Sequence, residues 1–373
     1  MRPNILFLTW HDAGRWFGCY GNENVHTPNV DRIAAEGCRF TNIISACAIC
    51  SPSRAAIMTG LYCQRNGVMS LANTVFQNRI HPHAKHLAVR LKEAGYHTAL
   101  FGVEHEAAHE HVHEVLQVDE QYNTDPWPEA GVSAEAFCDW LDARPQDGKP
   151  FYAQVGFHEA HLGSWLQGEE KDHYPYAHDD EHGLHVPPYI EETPYGRETL
   201  ATLQGYVRRG DAAIGRMLDA LAKHGLDRDT LVVMCGDHGP GIPRAKTTCY
   251  DPGISVAWLM RWPGVIEGGT TVDALAAHVD TLPTLLEMLG MPIPPECQGR
   301  SLAGHVRGER SGEVNEAVFS HMVENVRSIR TQRHKLIRNF REPGLYAPGP
   351  IQVDVLRVKK RGPRPQHAAP HVE

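Results

Sequence analysis

The stretch from Asn4 to Thr9 reads NILFLT and is the first of several short apolar runs bounded by polar residues. A continuous apolar run of this length is typical of a strand that is buried on both faces of a sheet. Further along, Thr27 is a capping residue, Pro28 lies in a first helical turn and Gly37 follows a last one. These signals frame a helix over residues 28–35. A strand followed by a helix is the repeating unit of an α/β fold.

The alternation of strands and helices continues to about residue 310. Further strands are predicted at 97–101, 151–157 and 231–235, and helices at 87–94 and 200–224. This order predicts an α/β fold with a large, mainly parallel sheet flanked by helices. Ligands of such a sheet bind at the carboxyl ends of its strands. Three predicted strands end in loops that carry histidine and acidic residues, at 10–12, 156–161 and 236–239.

Composition excludes several classes of protein. The 373 residues contain 36 Lys and Arg against 45 Asp and Glu, a formal net charge of −9. An acidic chain without a basic stripe argues against nucleic acid as a partner. No apolar run approaches the ~20 residues that span a bilayer. The start of the chain lacks the features of a signal peptide, so we expect a cytoplasmic protein, or a periplasmic or secreted one if a leader was removed.

The most specific motif is CSPSRAAIMTG at residues 50–60. With Ser51 as a capping residue and Pro52 in the first turn, it predicts a helix whose N-terminus lies at Cys50. The free N–H groups and the positive end of the helix dipole suit an anion there. The plain alternative is a buried cysteine before an ordinary helix.

This motif resembles the signature of the sulfatases, C-x-P-S-R followed by Thr-Gly. The resemblance extends over roughly residues 3–340, and the spacing from Asp237 to Lys246 is most similar to the heparan N-sulfatase (sulfamidase) branch. It implies an alkaline phosphatase-like fold. It also implies that Cys50 is oxidised to formylglycine, whose hydrate acts as the nucleophile, by a formylglycine-generating enzyme that is therefore an expected partner.

The resemblance further implies one divalent metal, calcium in the family, held by Asp12, residue 50, Asp237 and His238. His11 stands in the place of the first Asp of the usual Asp-Asp pair, and His238 stands where many sulfatases have Asn. Calcium prefers oxygen ligands, whereas imidazole suits manganese or zinc. The identity of the metal therefore stays open between these three. His11 is either a ligand or a neighbour of the ligands.

Catalytic roles are implied for four further residues. Arg54 would hold the nucleophile and a sulfate oxygen, and His105 would accept a proton from the nucleophile's second hydroxyl. His161 and Lys246 would stabilise sulfate charge and protonate the leaving group.

Val103 is a departure from the family, because it replaces the Lys of Gly-Lys-x-His. That Lys is a cation expected to hold a sulfate oxygen. His11 and Arg15 are the candidate substitutes, while His158 is interpreted as a packed histidine that lies behind the residues of the site.

The chain changes character after residue 310. Short strands are predicted at 317–321, 328–330 and 335–337, and Pro and Gly become frequent from Pro343. We therefore expect a catalytic α/β domain at 1–310 and the start of a small antiparallel subdomain at 311–342, with an irregular, disordered tail at 343–373. Because the family closes with a longer segment, we also expect this subdomain to be truncated, leaving part of the cleft open or dependent on a partner chain.

Together these features predict a sulfuric ester hydrolase that acts on a sulfate ester or N-sulfate of a small molecule or glycan, a carbohydrate being favoured, and releases inorganic sulfate. Two alternatives stay open. Asp237-His238 also fits a phosphonate or phosphate ester hydrolase on the same scaffold, and Val103 fits a non-catalytic binder of sulfated glycans. The oligomeric state, including a homo-oligomer, is left open.

Two other clusters have simpler interpretations. His105, His109 and His113 would share one face of a helix, where a solvated surface is favoured over a metal stripe. The nine cysteines show no paired spacing and are expected to be reduced and mostly buried.

Overall fold

Parallel strands form the centre of the computed structural model, which describes residues 2–72, 78–122, 128–145, 147–162, 178–323 and 326–340. In chain order the strands are β1 (Asn4–Trp10), β2 (Cys38–Phe40), β3 (Ile43–Ile44), β4 (His97–Gly102), β5 (Glu120–Tyr122), β6 (Phe151–Gly156), β7 (Thr230–Gly236), β8 (Trp258–Arg261), β9 (Thr270–Val272), β10 (Ala276–Ala277), β11 (Val318–Met322), β12 (Val326–Arg330) and β13 (Lys335–Asn339). The helices are α1 (Pro28–Ala35), α2 (Cys50–Thr59), α3 (Cys63–Asn66), α4 (Leu87–Glu93), α5 (Val112–Leu116), α6 (Ala130–Ala143), α7 (Pro194–Lys223), α8 (Asp251–Ile254), α9 (Thr281–Met288) and α10 (Ala303–Val306).

The main sheet has eight strands in the order β5-β4-β6-β1-β7-β8-β2-β9. The first five run parallel, with Leu6 of β1 opposite Ala153 on one side and Val232 on the other. β8 is antiparallel to β7 because the chain leaves β7 and stays at the same sheet edge until Trp258, without a crossover helix. The prediction of a large, mainly parallel sheet flanked by helices is confirmed.

β1 lies in the middle of the sheet and is buried along its whole length. Leu6, Leu8 and Trp10 point to one core, which packs against α6 and α7, and Ile5 and Phe7 point to a second core on the opposite face. Because successive side chains of a strand alternate between faces, one apolar run supplies both cores. This is why the stretch shows no polar alternation.

Helix α1 begins where the sequence predicts, but a different residue caps it. The side chain of Thr27 makes no capping bond to α1; its hydroxyl instead accepts a hydrogen bond from the N–H of Gly18 at 2.8 Å. Asp211 of α7 accepts from the N–H groups of Asn29 at 3.0 Å and Val30 at 2.8 Å. A residue far away in the sequence therefore satisfies the helix N-terminus and ties α1 to α7.

The predicted histidine stripe is wrong as a helix face. Residues 109–111 form a 3-10 turn, α5 begins only at Val112, and His105 lies before both with φ of 61°. His109 and His113 are exposed, in keeping with a solvated surface. All nine cysteines are unpaired thiols, six of them buried, as expected.

The small antiparallel subdomain is confirmed as a three-stranded sheet, β11-β12-β13. It joins the larger part through a bridge between His321 and Cys47. The domain boundaries at 310 and 342 stay predictions, and the tail at 343–373 lies outside the described residues. Among the helices of the described part, none is both long and apolar enough to cross a bilayer.

Candidate active site and metal centre

The loops after four parallel strands meet at the carboxyl edge of the sheet. They follow β1, β4, β6 and β7, and the N-terminus of α2 meets them there. Asp12 (φ 49°) and His105 (φ 61°) adopt the left-handed region, which is uncommon for residues other than glycine. The structure thus brings together residues that are up to 235 positions apart in the sequence, from His11 to Lys246.

Cys50 is the first residue of α2, and its side chain is buried. Its Sγ lies 3.2 Å from Nε2 of His238. Burial alone would raise the pKa of this thiol, but the positive charges of Lys246 and His238 hold it well below the usual value. The predicted cap is wrong, since the hydroxyl of Ser51 accepts a hydrogen bond from the N–H of Ala72 at 2.8 Å. Cys50 nevertheless lies in the first turn, as expected.

His11, Asp12, Cys50 and Asp237 each offer one ligand atom, and these atoms all lie within 4.8 Å of one another. All four side chains are buried. His11, Cys50 and His105 form a second such group. His11 therefore belongs to the cluster in space, and its ring Nδ1 lies 3.1 Å from Oδ2 of Asp237. Despite burial and the nearby Arg54, the charge of Asp237 raises the pKa of His11 to about 10.

Asp237 is held by the backbone of two other members of the cluster. Its Oδ1 accepts from the N–H of Asp12 at 3.0 Å and from that of His238 at 2.7 Å, and its Oδ2 accepts from Nε of Arg54 at 3.1 Å. Burial raises the pKa of this carboxyl, but the positive charges of His238 and His11 lower it by more. The pKa of Asp237 is therefore well below its usual value. The carboxylate stays ionised.

The orientation of His238 follows from its backbone. Its Nδ1 lies 2.8 Å from the carbonyl oxygen of Gly239, which only accepts hydrogen bonds. Nδ1 therefore carries a proton, and Nε2 faces Cys50 and Oδ1 of Asp12, the latter at 3.3 Å. Burial lowers the pKa of His238, but the charges of Asp237 and Cys50 outweigh it and raise that pKa to about 9.

Lys246 donates to both carboxylate oxygens of Asp12, at 3.0 and 2.7 Å. Burial opposes the charged form, yet Asp12 and Cys50 raise the pKa of the ammonium above its usual value. The same contact lowers the pKa of Asp12 against its burial. Lys246 thus places a fixed positive charge beside the cluster.

Arg54 is fully buried one helical turn after Cys50. Besides Asp237, its Nη1 donates to the carbonyl oxygens of Val103 at 3.3 Å and Glu104 at 3.1 Å. Its Nη2 is buried and has no hydrogen-bond partner in the described part of the chain. The main chain of the β4 loop, and not a side chain at position 103, holds this guanidinium.

Three histidines line the other side of the cluster. The ring of His11 lies 5.7 Å from that of His105 and 5.8 Å from that of His161, between centroids. The rings of His158 and His161 stack at 5.3 Å. Burial, followed by Lys246, lowers the pKa of His161 to about 4, and burial lowers that of His158 to about 2. Both are neutral near pH 7, and His158 packs behind His161, as the sequence predicts.

Some supporting residues were not predicted. Ser53 donates to the carbonyl oxygen of Asp237 at 2.5 Å, and its hydroxyl also lies 2.9 Å from Nδ1 of His278 and 3.0 Å from that of Ser45. Ser53 is part of the quoted motif, but the sequence predicts no role for Ser45 or His278. Arg15, a candidate substitute for the missing Lys, instead donates to the carbonyl oxygen of Val256 at 3.3 Å.

The donor set fits a divalent cation. The site offers two ionised carboxylates, a thiol of lowered pKa and an imidazole nitrogen that faces the thiol and one carboxylate. Such groups bind divalent cations. Arg54 and Lys246 pair with the same carboxylates, Asp237 and Asp12 respectively. The imidazoles of His11 and His238 favour manganese or zinc, and the carboxylates accommodate calcium.

Comparison with known proteins agrees with this arrangement. The sulfatase family model matches residues 3–291, and the model of the N-sulphoglucosamine sulphohydrolase C-terminal region matches residues 244–351. An ulvan-active sulfatase of Formosa agariphila is 31% identical over 91% of this chain and 66% of its own length. A second one is 27% identical over 97% and 66%. This chain thus spans a little less than two thirds of these relatives.

Human N-sulphoglucosamine sulphohydrolase is 28% identical over 95% of this chain and 76% of its own length. A solved structure from work on glycosaminoglycan metabolism by Bacteroides thetaiotaomicron has a TM-score of 0.77 at 23% identity, covering 91% of this chain and 87% of that one. Another, solved in complex with its substrate D-glucosamine-2-N,6-O-disulfate, has a TM-score of 0.70 at 22% identity and covers 92% and 90%. At these identities the structures establish the shared fold.

Proposed function

The chain belongs to the sulfatase family, and from this membership we propose that it hydrolyses a sulfate ester or an N-sulfate and releases inorganic sulfate. The observation that carries the proposal is the position of Cys50. Its side chain lies in the first turn of α2, 3.2 Å from His238, within a buried cluster that contains two ionised carboxylates. A nucleophile made from Cys50 would there lie beside the groups that can hold a metal ion.

A carbohydrate is the substrate class that we propose. The relatives include two ulvan-active sulfatases, an enzyme named for N-sulphoglucosamine and a hexuronate-2-O-sulfatase. The match to the N-sulphoglucosamine sulphohydrolase C-terminal region supports an N-sulfated sugar among the candidates. A sulfated sugar is therefore the first substrate to test.

Two groups would complete the site. Formylglycine made from Cys50 would supply the nucleophile, with a formylglycine-generating enzyme as the maturation partner. A divalent metal held by Asp12, residue 50, Asp237 and His238, with His11 as a further ligand or a neighbour of the ligands, would supply Lewis acidity towards a sulfate oxygen.

The chain's own residues would bind and polarise the sulfate. Lys246 and Arg54 present positive charges whose donors lie in a dry, preorganised setting, where they stabilise developing charge strongly. Nη2 of Arg54 is buried and has no hydrogen-bond partner in the described part of the chain, which supports its assignment to a sulfate oxygen. Lys246, charged at neutral pH, is the candidate proton donor to the leaving oxygen or nitrogen.

The histidines would move or hold protons. His105 lies within ligand distance of Cys50 and is the candidate acceptor of a proton from an oxygen carried at position 50. His161 is neutral because burial lowers its pKa to about 4, so it would hydrogen-bond to the substrate rather than add charge. Val103 offers no cation, and the sulfate would rely on Lys246 and Arg54 instead.

The test is the mass of the peptide containing Cys50, from protein made together with an active formylglycine-generating enzyme. We expect conversion to the aldehyde, followed by release of sulfate from N-sulfated or O-sulfated sugars with calcium, manganese or zinc. A parallel panel of phosphate and phosphonate esters serves as the comparison. Faster turnover of those esters would favour the ester hydrolase that Asp237-His238 also fits. A persistent free thiol, or binding without turnover, would favour a glycan-binding protein.

A further inference from the structure

A groove with a volume of about 350 Å³ opens beside the loops that carry the catalytic cluster. Its walls come from five segments, the loop after β1, residues 185–189, the loop after β7, residues 251–255 at α8 and the end of β12. Small-molecule sites usually have volumes of roughly 300–1,000 Å³, and this groove lies near the lower end of that range. None of the roles assigned above uses this groove.

The groove lies next to the cluster and on the same edge of the sheet. Pro240, which lines it, follows His238 by two residues, and its carbonyl oxygen accepts from the backbone N–H of Lys246 at 2.9 Å. On the other wall, Arg15 and Trp16 follow Asp12 by three and four residues. One loop thus faces the cluster on one side and the groove on the other. The groove and the cluster are therefore neighbours along both loops.

Part of the lining is apolar and aromatic. Trp16 and Tyr189 lie on it, and the ring of Trp16 contacts the ring of His185 edge-on at 4.9 Å. Prolines at 187, 188, 240 and 252 make the remaining apolar wall stiff. Apolar and aromatic walls with a few directed polar groups are the usual lining of a small-molecule site. They suit the C–H face of a sugar ring.

The charged part of the lining carries an excess of positive charge. Arg15 and Arg330 both line the groove, and Asp251 is the one acidic residue among its lining residues. Asp251 already pairs with Arg330 and also with the buried Lys335, the latter at 2.9 Å. Nε of Arg330 is buried and has no hydrogen-bond partner in the described part of the chain. The groove therefore offers guanidinium groups that an anion can use.

We infer that this groove binds an acidic group on the sugar next to the one that carries the scissile sulfate. The inference rests on the proposed function. Arg15 and Arg330 would hold the acidic group while the sugar ring lies against Trp16 and Tyr189. Two sources offer the same chemistry, a hexuronate carboxylate and a second sulfate. The substrate class is then an oligosaccharide with at least two anionic groups, and the small C-terminal sheet contributes to its recognition through Arg330.

The experiment compares three ligands on four proteins. The ligands are an N-sulfated glucosamine, a disaccharide that joins it to a hexuronic acid, and the carboxyl-reduced disaccharide with a second sulfate. The proteins are the wild type, R15Q, R330Q and the control R197Q, which removes an exposed arginine outside the groove. Binding is measured by calorimetry on unconverted protein, and kcat/KM on converted protein. Thermal melting verifies that each variant is folded, and in R330Q Asp251 keeps Lys335 as its partner.

We expect R15Q and R330Q to weaken binding of the dianionic ligands about 10- to 100-fold, the usual value of a hydrogen bond to a charged group. Their affinity for the monosaccharide should change less than twofold, and R197Q should match the wild type. A loss confined to one disaccharide identifies its acidic group as the ligand. Equal losses on all three ligands, or none, would overturn the inference.

The inference and the proposed function fail separately. If R15Q and R330Q selectively weaken binding but the converted protein releases no sulfate, the inference about the groove stands and the proposed sulfatase activity fails. If the converted protein releases sulfate but neither variant has a selective effect, the proposed activity stands and the inference about the groove fails.

Discussion

Lys246 gives the sharpest test of the cluster, because its ammonium pairs with the carboxylate of Asp12, which is also a candidate metal ligand. In the substitution K246M, an aliphatic chain of similar length replaces the ammonium that donates to both oxygens of Asp12. The two side chains are 7% and 1% exposed, so solvent screens them little. Removing one partner of a buried ion pair costs about 3–5 kcal/mol, because the other charge stays buried and unpaired.

For a chain of this size that loss lowers the melting temperature by about 4–6 °C in the presence of a chelator. A divalent metal at 100 times its Kd stabilises the folded protein by about 2.7 kcal/mol. We expect the metal to stabilise K246M more than the wild type, because it no longer competes with the ammonium for Asp12. Turnover of a sulfated sugar should fall about 10²- to 10³-fold.

The matched control is K335M. Lys335 is also buried and pairs with an aspartate, Asp251, but lies outside the cluster. We expect a smaller loss of stability, because Asp251 is 46% exposed and keeps Arg330 as a partner, and metal should not restore it beyond its effect on the wild type. Melting curves with chelator, calcium, manganese and zinc measure both. A metal-free K246M that melts within 2 °C of the wild type, or equal metal rescue of the two variants, would refute the reasoning.

Other sites allow four further tests. Burial raises the pKa of Glu159 to about 7, so the native state holds a proton that the unfolded state releases as pH rises from about 4.5 to 7. Wild-type stability should therefore fall across that window relative to E159Q in melting curves, and parallel curves would contradict this. D211A should cost about 1–3 kcal/mol in urea unfolding, because it leaves buried N–H groups at the start of α1 unpaired, whereas the control T27A should cost less. V103K should raise kcat/KM for a sulfated sugar about tenfold, because it adds a cation near the sulfate. V103M is the control for side-chain size, and an unchanged kcat/KM of V103K would contradict the expectation. H11D should shift the preference in metal-induced melting towards calcium, and an unchanged order of metals would count against His11 as a ligand.

Local features of the chain were predictable because each depends on residues that are neighbours in the sequence. The run at residues 4–9 is buried on both faces as β1, and the helix framed by Pro28 and Gly37 is α1. The motif at 50–60 places Cys50 in the first turn of α2. Strand and helix periodicity, turn residues and a contiguous motif are short-range information, and they suffice for the fold class and for the family.

Contacts between distant residues required the tertiary structure. Asp211, and not Thr27, caps α1, because α7 happens to cross the start of that helix. Nothing near Arg54 in the sequence shows that Asp237, 183 positions away, would bind its guanidinium. Likewise, the sequence makes Arg15 a candidate to replace the missing Lys, but its Nε donates to the carbonyl oxygen of Val256.

The sequence by itself determined which segments form the central strands, the helix that presents Cys50 and the identity of most residues around Cys50. The tertiary structure decided which of them touch, which nitrogen of His238 faces Cys50, and that Arg330 of the last sheet shares a groove with Arg15. The physical reason is range. Secondary structure and capping follow from interactions over a few residues, whereas a site at the carboxyl edge of a parallel sheet is assembled from loops that only the packing of helices on that sheet brings together.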